Sequence, residues 1–344
     1  MELKILNPLE YPGWDELLLT NEDYSFFHTS AWARVLSASY GYKPLYFTSI
    51  ENGRLSALLP IMEIKSPLTG TRGVSLPFTD YCQAIADNQD DYQKIIKDIT
   101  DYGKKAGWKY IEFRNGKNLL SSTNPSSTYY SHSVELTPNE QELLKSFRSS
   151  TKRNIKKAEK EGIMAKIHQS FDSVEEFYRL NCLTRKYHGL PPQPFFFFKN
   201  IFNDIISKNL GIIALATFSK KIIAGAVYFH FGSNAIYKYG ASDRDYQHLR
   251  PNNLVMWKAI KWHAENGYKT FDFGRTELEN EGLLQFKRGW GTTEKFISYY
   301  KYDIKQASFV GEHSKLKGWH NRFFNIAPIF VSKCIGSILY KHIG

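Results

Sequence analysis

The feature that most constrains the fold is an order of local signals that occurs twice along the chain. In its first occurrence, the apolar runs LYFTSI (45–50) and LSALLPIMEI (55–64) flank Asn52-Gly53, a dipeptide typical of a two-residue hairpin turn. Apolar residues at helical spacing then predict a helix that ends at Gly107, and the strand WKYIEFR (108–114) follows.

The second occurrence repeats the order. The runs GIIALATF (211–218) and IIAGAVYFHF (222–231) predict a hairpin around Lys220-Lys221, and AIYKYGAS (235–242) predicts a third strand. Pro251 opens a helix, and the segment GYKTFDFGR (267–275) ends that helix and forms the next strand, 160 residues after GWKYIEFR. A matched order of hairpin, helix, glycine and strand predicts two copies of one α/β unit.

Charge and cysteine usage indicate the kind of partner and compartment. The 344 residues carry 45 Lys+Arg against 34 Asp+Glu, a net charge of +11, which favours an anionic partner or serves solubility alone. The three cysteines are far apart in sequence and are a poor disulfide framework. The sequence shows neither a leader nor an apolar run of about 20 residues, so we expect a cytoplasmic protein.

The positive charge is concentrated between Lys145 and Lys157, where no acidic residue occurs. We predict one helix from Thr137 to Gly162, with Lys145, Arg148, Lys152 and Lys156 on one face. Such a face is either a solvated surface or a binding site for a phosphate backbone, and we favour the second. The residues predicted to bind a phosphate backbone or another anion are Lys152, Arg153, Lys156 and Lys157.

A second dense region follows the FDFG strand, where Asp272 and Arg275 precede the segment FKRGWG (286–291). Ligands in α/β folds collect at the carboxyl ends of strands, and a lysine there can stabilise a developing oxyanion. No metal-ligating or nucleophile motif occurs elsewhere, so we predict neither a bound metal nor a covalent intermediate.

The chain resembles the Fem family of non-ribosomal peptidyltransferases and the related Fem-like acyltransferases of the GNAT superfamily. The segments that carry the resemblance occur in the family's order along nearly the whole chain: FFHTSAWARV, LPFTDY, SSTKRNIKKAEKEG, LTRKYHGLPPQP, YKYGAS, FDFG and FKRGWG.

The resemblance implies an α/β fold of two tandem GNAT-like lobes, with mixed central sheets flanked by helices. It implies a first lobe at 1–138, a second at 139–311 and a tail, 312–344, that packs back on the first. The implied reaction moves an amino acid from aminoacyl-tRNA to an amine of a peptidoglycan-type precursor that carries a nucleotide or a lipid. No cofactor is implied, because the tRNA is the donor substrate.

The resemblance also assigns residues to roles. Phe286 and Lys287 correspond to a pair beside the reacting ester, and Tyr239 to an aromatic of the same channel. Arg34, near Trp32, corresponds to a cation on the acceptor's phosphates, and Asp80 to an acid beside the acceptor amine. The other residues expected to contact substrate are Trp32, Asp272, Arg275 and Arg288. At two acceptor positions this chain departs from the family pattern, with Gln193 and Phe197.

Two functional alternatives remain. An acyl-CoA N-acyltransferase acting on an amino sugar would need a glycine-rich pyrophosphate turn, but the stretch Gln247 to Asn253 has no glycine and contains Pro251. A non-catalytic module could bind RNA or a membrane. The tail, with Trp319, Phe323 and Phe324 among cations, either packs on the protein or contacts the inner face of an anionic membrane. We expect a monomer.

Overall fold

The computed structural model describes residues 2–115, 123–311 and 324–344. In chain order, its elements are β1 (Lys4–Leu6), α1 (Trp14–Leu18), α2 (Ser30–Tyr40), β2 (Lys43–Glu51), β3 (Arg54–Ile64), β4 (Arg72–Val74), β5 (Ile85–Ala86), α3 (Gln89–Lys105), β6 (Tyr110–Asn115), β7 (Ser127–Glu135), α4 (Glu140–Ser146), α5 (Ser149–Lys160), β8 (Met164–His168), α6 (Phe171–Tyr187), α7 (Phe195–Asp204), β9 (Gly211–Phe218), β10 (Lys221–Phe231), β11 (Asn234–Ser242), α8 (Pro251–Glu265), β12 (Thr270–Glu277), α9 (Glu281–Arg288), β13 (Thr293–Asp303), β14 (Ser308–Val310) and α10 (Ile329–Ile343).

The chain forms two compact units. Unit 1 comprises Met1–Tyr130, Phe296–Lys315 and Leu339–Gly344, and unit 2 comprises Ser131–Lys295 and Leu316–Ile338. The lobe boundary at 138/139 and the packing of the whole tail 312–344 stay predictions. Trp319 and Phe323 lie outside the described residues, and Phe324 is buried.

Unit 1 is built on a mixed sheet in the order β1-β2-β3-β4-β6-β13, with β5 paired to β3 and β14 to β13. The β2–β3 hairpin turns at Asn52 and Gly53, whose φ angles of 53° and 75° are those of the turn predicted from the dipeptide. Helix α3 buries its predicted apolar face, including Ile95 and Ile99, against this sheet. Strand β4 then pairs in parallel with β6.

Unit 2 has a mixed sheet in the order β7-β12-β11-β10-β9-β8. Its β9–β10 hairpin turns at Ser219 and Lys220, one residue earlier than predicted, because Lys221 already pairs with Phe218. After α8, Gly267 has a φ of 83° and ends the helix as expected, and β11 pairs in parallel with β12. Both units therefore share the hairpin, third strand, helix and parallel strand, which confirms the predicted repeat.

The basic segment is not the single helix that was predicted. It forms α4 and α5, because Phe147 leaves the helical conformation with a ψ of 143°. Its ring is buried edge-on against Trp257 at 5.6 Å and Trp290 at 5.1 Å between centroids. Burial of this aromatic in the core outweighs continuation of the helix, so the four cations do not share one helical face.

The end of the chain is held within unit 1. The Arg72 guanidinium is buried and donates to the carbonyl oxygens of His342 at 2.7 Å and Gly344 at 3.1 Å. The Tyr42 hydroxyl donates to the Tyr340 carbonyl at 3.1 Å. No helix within the described ranges is long and apolar enough to cross a bilayer.

The Phe147→Ala substitution tests the cause of the helix break. We expect it to lower the free energy of unfolding by about 3–5 kcal/mol, the usual cost of removing a buried phenyl ring. The measurement is urea unfolding, with the exposed Met164→Ala as control, for which about 0.5 kcal/mol or less is expected. A loss no larger than that of the control would contradict the packing explanation.

A second prediction concerns pH and His28. Burial lowers the pKa of His28 to about 4, despite its hydrogen bond with the Gln83 carbonyl. The unfolded chain binds a proton near pH 6.5 and the folded chain does not, so this residue reduces stability as pH falls below 6.5. Between pH 7 and 5.5, we expect the free energy of unfolding to fall by about 1 kcal/mol less in His28→Gln than in wild type.

Urea unfolding at the two pH values measures this difference, whatever stability the variant loses at pH 7. The exposed His248→Gln should keep the wild-type pH dependence. An unchanged pH dependence in His28→Gln would refute the assignment.

Candidate functional site

A cleft opens in the sheet of unit 2 where two parallel strands separate. Strands β11 and β12 pair only from Asn234–Thr270 to Ile236–Asp272, and their carboxyl-terminal halves are not hydrogen-bonded to each other. Strand β10 has a register irregularity against β11 between Val227 and Tyr228. A separation at the carboxyl ends of parallel strands is a common place for a ligand in an α/β fold.

A cavity of about 330 Å³ lies in this part of unit 2. Its apolar wall comes from β10, α8 and α9 and includes Ala226, Tyr228, Val255, Met256, Leu283 and Phe286. Its polar residues come from the end of α6 and the residue after it, the end of β11, the turn after β11 and the start of α8: Thr184, His188, Ser242, Gln247 and Asn252. An apolar wall with a few converging polar groups is the usual make-up of a small-ligand site.

Ser242 is the centre of the polar end. Its backbone N–H donates to the Thr184 hydroxyl at 3.1 Å, which in turn donates to the Ser242 carbonyl at 3.2 Å. The side-chain amides of Gln247 and Asn252 donate to the Ser242 hydroxyl at 3.4 and 3.3 Å. This end of the cavity therefore presents neutral hydrogen-bonding groups. Partial desolvation, followed by the nearby Arg185 cation, lowers the pKa of His188, although this residue is exposed.

The start of α8 has few backbone donors to offer a phosphate. Arg250 precedes the helix in the left-handed region with a φ of 64°, and Pro251, in the first turn, has no N–H. The N–H of Asn253 donates to the Arg250 carbonyl at 3.1 Å. A pyrophosphate cradle needs several free N–H groups, and this turn offers few of them.

Helix α9 brings Phe286 and Lys287 to the cleft region with different surroundings. The Phe286 ring lines the cavity and packs edge-on against Trp290 at 5.9 Å. Lys287 is only 2% exposed, and its ammonium group donates to the carbonyl oxygens of Gly274 at 2.8 Å and Arg275 at 3.1 Å. Lys287 therefore ties α9 to the carboxyl end of β12.

Asp272 shapes the backbone that Lys287 contacts. One carboxylate oxygen accepts a hydrogen bond of 2.6 Å from the Gly274 N–H, and the other accepts one from the Ser131 hydroxyl. Gly274 has a φ of 68°, a conformation that other residues adopt at a cost. The structure thus brings the predicted residues Asp272, Arg275 and Lys287 together, with Arg275 contributing its carbonyl.

Arg288 belongs to a separate ionic network. Its guanidinium makes two hydrogen bonds to Glu294, at 2.7 and 2.9 Å, and this cation lowers the pKa of the Glu294 carboxyl. Glu294 also forms a 2.8 Å hydrogen bond with the buried His132. Burial and the neighbouring Lys287 cation lower the pKa of His132.

Tyr239 lies on β11 but does not line this cavity, whereas Tyr237, two residues earlier, does. The Tyr239 ring packs against Phe197 at 6.4 Å and Phe198 at 5.6 Å between centroids. Tyr237 and Tyr239 pair with consecutive residues of β10, so Lys238 between them is the extra residue of a bulge. The bulge turns the two tyrosines to opposite sides of the sheet, which accounts for the difference.

The two positions at which the chain departs from the family pattern are both in the interior of unit 2. Gln193 and Phe197 are buried.

The predicted anion-binding residues lie on α5. Arg153, Lys156 and Lys157 are exposed, and Lys152 is half-buried. The same helix buries Thr151, Ile155 and Ala158 in unit 2. Helix α5 therefore has one packed face and one cationic surface in water.

The residues predicted to bind the acceptor lie in unit 1. Trp32 is fully buried on α2 between the rings of Phe26 and Phe27, so it supports that helix, while Arg34 on the same helix is exposed. Asp80 is half-buried in the loop after β4, and its carbonyl accepts a 2.7 Å hydrogen bond from the Tyr299 hydroxyl.

Thr184, His188 and Ser242 were not singled out from the sequence. The available signal was the polar residue at the carboxyl end of a predicted strand, which marks Ser242. In the chain outside 116–122 and 312–323, no group of three or more His, Cys, Asp or Glu side chains could hold a metal ion.

Lys287→Met tests the role of the buried ammonium group. The variant leaves the Gly274 and Arg275 carbonyls without this donor, so we expect the free energy of unfolding to fall by about 1–3 kcal/mol. Urea unfolding measures the loss, and the exposed Lys160→Met is the control. A variant as stable as wild type would show that Lys287 is not needed to hold α9 to β12.

Two kinds of known sequence match parts of the chain. Residues 145–288 match the family described as Acetyltransferase (GNAT) domain. A lipid II:glycine glycyltransferase of Staphylococcus haemolyticus is 39% identical over 92 residues, which cover 24% of this chain and 22% of that protein. The corresponding protein of Staphylococcus aureus is 35% identical over 92 residues. The matched stretch thus spans 22% of the length of these relatives.

Solved structures share the fold over most of the chain. FemX superposes with a TM-score of 0.71 at 16% identity, covering 89% of this chain and 98% of that one. A tandem GNAT protein from the clavulanic acid biosynthesis pathway gives a TM-score of 0.58 at 6% identity, covering 88% and 98%. The chain is therefore a protein of the tandem GNAT fold with an acyltransferase domain, and its resemblance to the Fem family is confirmed.

Proposed function

We propose that the chain is an aminoacyltransferase that moves an amino acid from aminoacyl-tRNA to an amine of a peptidoglycan precursor. The observation that carries the proposal is the cavity at the separation of β11 and β12, with Phe286 in its wall and the buried Lys287 beside that residue in the chain. The similarity to lipid II:glycine glycyltransferases supports transfer of glycine or a similar amino acid to a lipid-linked precursor.

The second part of the proposal is the identity of the acyl donor. The turn before α8 offers few free N–H groups to the pyrophosphate of CoA, because Pro251 has none and the Asn253 N–H is already bonded to Arg250. The polar end of the cavity instead offers uncharged donors and acceptors, which suit a ribose and an aminoacyl ester. The exposed cations of α5 suit the phosphates of a tRNA acceptor stem.

The proposed reaction needs no covalent enzyme intermediate. The neutral acceptor amine attacks the ester carbonyl, and a tetrahedral oxyanion forms. The ester C–O bond then breaks as the amide forms, and the amine's proton passes to the departing ribose oxygen. Lys287 contributes a fixed positive charge that stabilises the oxyanion or the terminal phosphate.

The experiment offers purified protein labelled aminoacyl-tRNAs or labelled acetyl-CoA, together with a lipid-linked peptidoglycan precursor. We expect label to move from tRNA and the rate at low substrate to fall as salt rises. Transfer from acetyl-CoA alone would favour an acyl-CoA N-acyltransferase and overturn the donor assignment. Transfer from neither donor would refute the proposed function.

A charge-reversal variant tests the tRNA contact. Arg153→Glu, Lys156→Glu and Lys157→Glu together should raise the Kd for tRNA at least about tenfold. The slope of log Kd against log salt should also decrease, by about one for each phosphate that the variant no longer neutralises. The control changes the same charge on α3, with Lys97→Glu, Lys104→Glu and Lys105→Glu, all exposed in wild type. Equal weakening in both variants would mean that only net charge matters.

A further inference from the structure

The C-terminal part of unit 2 exposes a row of apolar side chains at helical spacing. Ile326 is 82% exposed, Phe330 69% and Ile338 61%, and Cys334 between them is also exposed. Phe330, Cys334 and Ile338 are spaced by four within α10 and so lie on one face of that helix, and Ile326 precedes the helix in the chain, before Pro328. We call this set the apolar row of α10.

An open groove lies next to this row. It has a volume of about 550 Å³ and runs between α6, the start of α7 and α10. Apolar parts of Tyr178, Leu183, Phe195 and Ile329 line it. Its residues on α10, Ile329, Lys333 and Ser337, each precede a residue of the apolar row, so groove and row occupy neighbouring faces of the helix. The exposed apolar surface therefore extends beyond the row.

The charge beside this surface is mainly positive. The Lys333 ammonium group lies 5.0 Å from the centre of the Tyr178 ring at the groove, and Arg179 and Glu175 also line it. Helix α10 contains no acidic residue. The sequence after Glu312 contains Lys315, Lys317, Arg322, Lys333 and Lys341 and no Asp or Glu. An apolar surface among cations complements an anionic lipid headgroup layer.

We propose that unit 2 docks on the surface of an anionic phospholipid bilayer through the apolar row of α10, with Lys333 at the level of the headgroups. The helix lies along the surface, because its 15 residues are fewer than the about 20 needed to span the hydrocarbon layer. The proposal does not depend on which acyl group is transferred. It uses residues other than Trp319, Phe323 and Phe324, on which the sequence-based membrane prediction depended.

Vesicle flotation of the full chain tests the proposal. Wild type should float with vesicles of phosphatidylcholine and phosphatidylglycerol and bind much less to phosphatidylcholine alone. The triple variant Ile326→Asn, Phe330→Asn, Ile338→Asn should bind the anionic vesicles at least about tenfold more weakly. These side chains are exposed, so the thermal transition of the variant should stay close to that of wild type.

The matched control carries Leu19→Asn, Leu68→Asn and Met164→Asn, which remove three exposed apolar side chains elsewhere and should leave flotation unchanged. Lys333→Gln should weaken binding to anionic vesicles about fivefold and leave the weak binding to phosphatidylcholine unaffected.

Three outcomes would overturn the proposal: wild type that does not float, a triple variant that floats like wild type, or equal weakening in the triple variant and its control. Light scattering without lipid is the remaining check. A dimer that the triple variant converts to monomer would assign the apolar row to a second copy of the chain instead.

Discussion

The short parallel ladder between β11 and β12 is the constraint from which the geometry of unit 2 follows. Because the strands share hydrogen bonds only from Asn234 to Ile236 on the β11 side, their carboxyl-terminal halves leave room for a cavity. The turn from β11 into α8 then supplies the polar end, where Ser242 forms hydrogen bonds with three other residues. A continuous ladder would have closed this space with backbone hydrogen bonds.

Lys287 has an observed structural contact and a proposed role in transfer. Its ammonium group satisfies two carbonyl oxygens of β12 and is almost inaccessible to water, which is the position of a structural cross-link. A cation held in this way is also preorganised, because it does not reorient when charge develops nearby. Replacing this buried lysine therefore changes the stability of the protein together with any contribution of its charge to transfer. The effect of its replacement on transfer can therefore be interpreted only beside the measured stability.

Features set by local sequence were predictable, and features set by distant packing were not. Asn52-Gly53 fixes a hairpin turn and the glycines at 107 and 267 end helices, so the repeat could be found from the sequence. The break at Phe147 could not, because it depends on Trp257 and Trp290, more than a hundred residues away. Strand β4, with three residues, is too short to show a period.

The residues of the candidate site also divide into those that the local sequence predicts and those that depend on distant packing. Phe286 at the cavity and the grouping of Asp272 with Lys287 follow from their place after a strand, which the motif already marked. The pairing of Thr184 with Ser242 joins residues 58 positions apart and has no local signal. Burial of Trp32 among phenyl rings is likewise a tertiary property, invisible to a motif that marks only its position.

The assembly of unit 1 from separate stretches of the chain has a consequence for synthesis of the protein. Its sheet takes β13 from residues 293–303, and strand β6 is antiparallel to it from Tyr110 to Asn115. During translation, β6 has an unsatisfied edge until nearly 190 further residues have been made, whereas unit 2 draws its sheet from one continuous stretch. Strands β8 to β12 of the second unit are therefore made before β13 can complete the sheet of the first, in contrast to the usual order in which amino-terminal domains fold first. An open strand edge during this interval is a natural binding surface for chaperones.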